Sequence, residues 1–81
     1  MKLVKITSTW CPSCIIMNNV FNKISTKYPD IEIESLDYDF DDVEKYNVGE
    51  ILPVLIKFDN DKEIDRIVGE KSLKEVEQFL K

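Results

Sequence analysis

Residues 2–28 read KLVKITSTWCPSCIIMNNVFNKISTKY, and this stretch decides the fold. Its first six residues, Lys2–Thr7, are short, β-branched and apolar, which predicts a strand. Ser8-Thr9-Trp10 reads as a loop. Pro12 stands where a helix opens, a place that tolerates a missing N–H and favours proline's fixed φ. From Cys14 onward Ile16, Val20, Phe21, Ile24 and Tyr28 recur at helical spacing. Pro29 ends that helix because it disfavours helical geometry at Tyr28. Cys11 and Cys14 therefore fall where a strand gives way to a helix.

Outward from that unit, Ile31–Leu36 alternates apolar and polar, as expected of a strand with one wet face or a sheet edge. Asp37–Asp42 is an acidic loop, and Asp42–Tyr46 predicts a short helix ending near Asn47 or Gly49. Pro53–Phe58 is nearly all apolar, as in a buried central strand. Asp59–Lys62 is a turn cluster, and Glu63–Val68 alternates again, giving a hairpin with the strand before it. Gly69 breaks it. Ser72 and Glu75 then form a capping box for a last helix, whose apolar stripe is Leu73, Val76, Phe79 and Leu80. The order β-α-β-α-β-β-α predicts an α/β domain over residues 1–81, with a four-stranded mixed sheet and helices on both faces. The first two strands, joined by a helix, are expected to be parallel.

Composition bounds the function. The net charge is −5, unevenly spread: residues 1–29 hold four Lys and no acid, residues 30–65 thirteen acids and three Lys. Nucleic-acid binding is not expected, because phosphates need a basic face. The acidic middle reads either as a solvated surface or as a docking surface for a basic partner or reductase. Met1–Ser8 is too short for a secretory leader, and no stretch approaches the roughly 18–20 apolar residues of a membrane span, so a cytoplasmic monomer is expected.

Two cysteines three positions apart are a redox or metal signal. As a purely structural staple the pair gains little, because so short a loop yields roughly 2 kcal/mol in the loop-closure model, against about 3 for a fifteen-residue loop. At a helix N-terminus, unpaired N–H groups and a partial positive charge stabilise thiolate, which is the nucleophilic form. One helical turn brings Cys14 within bridging reach of Cys11. Cys11 is expected at the rim, exposed and attacking; Cys14 is expected deeper, with a higher pKa, resolving the mixed disulfide.

Trp10-Cys11-Pro12-Ser13-Cys14 resembles the thioredoxin signature, in which Trp precedes C-x-x-C, while the inner Pro-Ser pair is more similar to glutaredoxins. Ile51-Leu52-Pro53 and Val68-Gly69 complete the resemblance, which covers essentially the whole chain; the extra N-terminal strand and helix of a full thioredoxin are absent from it. The resemblance implies a minimal thioredoxin fold and thiol–disulfide oxidoreductase activity on protein disulfides. It implies a cis Pro53 facing the sulfurs and a Leu52 backbone that pairs with a bound client strand. It also implies no cofactor beyond the Cys11–Cys14 disulfide, and recharging by a flavoprotein thioredoxin reductase. Lys5 departs from the pattern, standing where thioredoxins bury an Asp that assists proton transfer to the resolving thiol. It reads either as a Lys snorkelling off the sheet or as a buried cation that tunes the thiols.

Other readings stay open beside this one. A glutathione-dependent glutaredoxin is the alternative, although Gly69 is followed by Glu70 rather than a second Gly, Ser8 stands where glutaredoxins often have Lys, and acids repel the anionic tripeptide. A metal-binding module needs four ligands for structural zinc, and the chain has no His and no further Cys. Trp10 and Pro12 read as substrate-contacting surface, with core packing the alternative for Trp10. Pro53 alone could be a plain strand-start proline. Asp37, Asp39 and Asp41 alternate like calcium ligands, but Asp42 stands where such a loop needs Gly and Val48 where it needs Glu, which favours a solvated turn. Tyr38 and Phe40 read as core or as a rim of the site.

Overall fold

The computed structural model describes residues 1–80. Strand β1, Lys2–Thr7, leads into helix α1, Pro12–Lys27, and α1 returns the chain to strand β2, Glu32–Asp37. A single 3-10 turn, Glu44–Tyr46, precedes the hairpin of β3, Val54–Asp59, and β4, Lys62–Val68; helix α2, Leu73–Phe79, closes the described chain. The strands lie in the order β2-β1-β3-β4. β1 is parallel to β2 and antiparallel to β3, as the helical crossover and the hairpin require. No helix among the described residues is long and apolar enough to cross a membrane.

Both faces of the sheet are covered, and unequally. Successive side chains of a strand point to opposite faces. Leu3 and Leu55 face Met17, Phe21 and Ile24 of α1 and Val76 of α2. Val4, Ile6, Val54 and Ile56 face the other way, into a cluster that holds Val43 and both cysteines. Helices were expected on both faces, but among the described residues α1 and α2 both pack on the first, and only the 3-10 turn lies over the second. The 3-10 turn and the loops around it close it, with Tyr46 set edge-on to Phe58 at 6.1 Å.

Local signals explain the boundaries. Cys11 is the N-cap of α1, and Pro12 opens the helix. The predicted helix at Asp42–Tyr46 shortens to the 3-10 turn because the Asp42 carboxylate accepts the Glu44 N–H at 3.2 Å, a local turn that competes with helix. Asn47, in the left-handed region at φ 54°, ends it. Between β3 and β4, Asn60 and Asp61 both have positive φ, the two-residue geometry that matches strand twist. The register then slips between Lys57 and Phe58, which leaves Ile64 as an unpaired bulge residue. The capping box forms as the sequence predicts, with Ser72 Oγ accepting from Glu75 N and Glu75 Oε1 accepting from Ser72 N.

Candidate active site

Four chain segments meet at one end of the sheet. β1 and β2 are parallel, so the loops leaving Thr7 and Asp37 emerge side by side, and Tyr38 N donates to Thr7 O at 2.8 Å. β3 runs the other way, so its entry, Leu52-Pro53, arrives at the same end, as does the exit of β4 at Val68-Gly69. Gly69 has φ +89°, which favours glycine, and its N–H donates to Pro53 O at 2.9 Å.

The cysteines lie at the centre of this end, both as free thiols. Cys11 Sγ folds over the first turn of α1 and accepts the Cys14 N–H at 3.2 Å. It donates to the Leu52 carbonyl at 3.6 Å, across from the cis Leu52–Pro53 bond. This corrects one expectation. Cys11 is buried rather than exposed at the rim, with 5% of its surface accessible against 2% for Cys14. The N-cap role turns its side chain inward, and the Leu52 carbonyl meets it there. The expected order holds, since Cys14 is the deeper of the two. Burial, aided by its hydrogen bond with Cys11, pushes the Cys14 thiol up to about 12, although a backbone hydrogen bond from Ser8 pulls against it.

Trp10 is an exposed residue, 57% accessible, and its indole is nonetheless fixed. Its Nε1 donates to Asp39 Oδ2 at 2.6 Å, and its ring meets Tyr38 edge-on at 6.3 Å. Tyr38 thereby serves both core and rim. Pro12 and Ile51 are also exposed near the pair. The sequence shows Asp39 only as one of three alternating acids in a turn; its role as the partner of Trp10 is not visible there, because only the β1–β2 register brings the two together. Asp37 and Asp41 act as turn formers, not ligands. Asp37 Oδ1 accepts the N–H groups of Asp39 and Phe40, and Asp41 Oδ2 accepts that of Asp37. Among the described residues no group of three or more His, Cys, Asp or Glu comes together to hold a metal.

Lys5 lies on the α1 face of the sheet. Its Nζ stands 5.1 Å from the centre of the Phe21 ring, and burial lowers its pKa. This is a half-buried cation lodged on an aromatic face, which fits a snorkelling stem more closely than a partner of the sulfurs.

Fold and site together define a thioredoxin-fold dithiol protein, with C-x-x-C at the start of the first long helix opposite a cis-proline. The family model described as Thioredoxin matches residues 1–81. Thioredoxin-1 of Saccharomyces cerevisiae is 34% identical over 68 residues, 83% of this chain and 66% of that protein. Thioredoxin of Chlamydia trachomatis is 31% identical over 81 residues, 98% of this chain and 76% of that one. The crystal structure of oxidised thioredoxin O2 from Arabidopsis thaliana superposes with TM-score 0.82 at 25% identity, over 98% of this chain and 70% of that one. The chain belongs to the thioredoxin family. It spans just under two thirds of the yeast relative and 55% of an H-type thioredoxin from Picea mariana.

Proposed function

We propose that the protein is a thiol–disulfide oxidoreductase that reduces protein disulfides. One observation carries this reading: Cys11 caps α1 with its sulfur accepting the Cys14 N–H, and Cys14 lies one turn along, protonated and adjacent. The Cys11 thiolate attacks one sulfur of a client disulfide; that bond breaks, and the other client sulfur leaves as a thiolate that takes up a proton. Cys14 then loses its proton and attacks Cys11 Sγ. The Cys11–Cys14 bond forms, the mixed disulfide breaks, and the client departs as a dithiol two electrons richer. Mixed-disulfide formation consumes the Cys11 thiolate, whose hydrogen bond and charge both help to raise Cys14, so resolution becomes easier once the client is attached. The client strand pairs with the Leu52 backbone and rests against Trp10 and Pro12.

The electron donor we assign is a flavoprotein thioredoxin reductase, in the cytoplasm. Glutathione fits less well, because Asp39 and Glu70 bring negative charge toward an anionic tripeptide. Insulin reduction driven by NADPH and a thioredoxin reductase is expected, abolished in Cys11→Ser, with Cys14→Ser accumulating mixed disulfides. Turnover with glutathione and glutathione reductase alone would replace the assigned donor. Activity retained in Cys11→Ser would remove the mechanism.

A further inference from the structure

Next to Asp39, the partner of Trp10, the chain displays an aromatic residue that the exchange chemistry does not use. Phe40 is 84% accessible, at the tip of the turn that follows β2. The turn is pinned from within: Asp37 Oδ1 accepts from Asp39 N at 2.9 Å and Phe40 N at 3.3 Å, and Asp41 Oδ2 accepts from Asp37 N at 2.7 Å. The same turn holds Trp10 through Asp39. One fixed turn thus carries an exposed Phe40 and, through Asp39, anchors an exposed Trp10 beside the dithiol.

The charge around this surface has one sign. Asp39, Asp41, Asp42 and Glu44 line a groove of about 680 Å³, with Tyr38 and Val43 as its apolar walls. Among the described residues none of these four acids is in an ion pair; Asp39 accepts from Trp10, and Asp41 and Asp42 accept from backbone N–H groups of the loop. Lys45, the nearest cation in sequence, has its Nζ over the Tyr46 ring. An occupant that brings cations on apolar stems complements both features, with the stem along Phe40 and the head among the carboxylates.

We infer that the client-docking surface extends from Cys11 across Trp10 onto Phe40 and this groove, and that it selects polypeptide disulfides whose reactive Cys is flanked by Lys or Arg. The inference rests on the disulfide-reductase reading and names its substrate class.

The test uses two disulfide-bonded peptides differing only in flanking residues, Lys/Arg in one and Glu in the other, and the pre-reduced protein in single turnover. Hydroxyethyl disulfide, small and uncharged, is a third substrate. The basic peptide is expected to react at least tenfold faster than the acidic one at low ionic strength, with that ratio falling severalfold in 0.5 M salt. Phe40→Ser and, separately, Glu44→Gln are expected to lower the ratio at least threefold. Both positions are exposed, and melting curves check that the variants fold. A basic-to-acidic ratio near one, or a ratio that neither variant moves, overturns the inference while leaving hydroxyethyl disulfide turnover intact. No turnover of any of the three substrates overturns the reductase reading instead.

Discussion

Cys14 carries the clearest titration in the molecule, and its sign can be followed through to stability. Its pKa stands near 12, raised chiefly by burial, above the ordinary thiol value of 9.0 that the unfolded chain regains. Between those values the folded reduced protein holds a proton that the unfolded chain has lost, so stability falls as pH rises through the window. The slope is at most about 1.4 kcal/mol per pH unit for one proton. The oxidised protein has no such thiol. Denaturant titrations of both forms are therefore expected to diverge above pH 9, with the reduced form losing ground; parallel curves to pH 11 would mean that Cys14 ionises normally. The same raised pKa predicts that iodoacetamide at pH 7.5 spares Cys14, as read by peptide mass mapping. Lys5 makes the opposite case. Its charge is half buried over Phe21, so losing the cation–π contact and losing the desolvation penalty nearly offset each other. Lys5→Met is expected to stay within about 1 kcal/mol of the parent at pH 7, with an unchanged rate–pH profile. A shifted profile would give Lys5 a part in tuning the sulfurs.

The elements show where sequence patterns suffice and where they stop. α1, β1, β3 and the capping box of α2 follow from periodicity and cap chemistry because their signals are local and agree with one another. The hairpin does not follow as fully. Ile64 and Ile67 are three residues apart, and a period-2 reading passes over the bulge that this spacing conceals. The short helix expected from Asp42 shrinks because a side chain competes for its N–H. Cys11 was expected to be exposed because neither the inward rotamer of an N-cap nor the Leu52 carbonyl can be read from neighbouring residues. The hairpin also offers a stability test. Asp61 adopts φ 63° in a turn whose geometry favours Asn-Gly. Asp61→Gly is expected to stabilise the protein by up to about 1 kcal/mol, because glycine enters the left-handed region without the Cβ penalty. Ser72→Ala is expected to destabilise it by about 1 kcal/mol by removing the α2 cap. Urea midpoints measure both, and equal midpoints for the Ser72 pair would mean that α2 is held by Val76 and Leu80 alone.

At the scale of the whole molecule, topology converts a sequence asymmetry into a spatial one. The lysine-only segment and the acid-rich segment meet because β1 and β2 are parallel, which carries the acidic loop of 37–44 to the end of the sheet where the dithiol lies. Like charges thereby crowd one end of a small fold whose net charge is −5. The ion pairs Lys2–Glu34, Lys27–Glu77 and Arg66–Glu63 are at most partly buried, and such pairs contribute little each. Repulsion should therefore outweigh attraction at low ionic strength, and salt, which screens both, should stabilise the fold. For a domain of this size 1 kcal/mol corresponds to roughly 4–8 °C in the thermal midpoint, so a relief of even half that is measurable. The midpoint is expected to rise by a few degrees between about 10 mM and 200 mM sodium chloride, where the screening length shortens from about 30 Å to below 10 Å. Replacing Asp41 and Glu44 by their amides should shrink that rise, since it removes charge from the crowded end. A midpoint that falls with salt would show that the ion pairs dominate, and the acidic end would then be held in place by attraction to groups elsewhere on the surface.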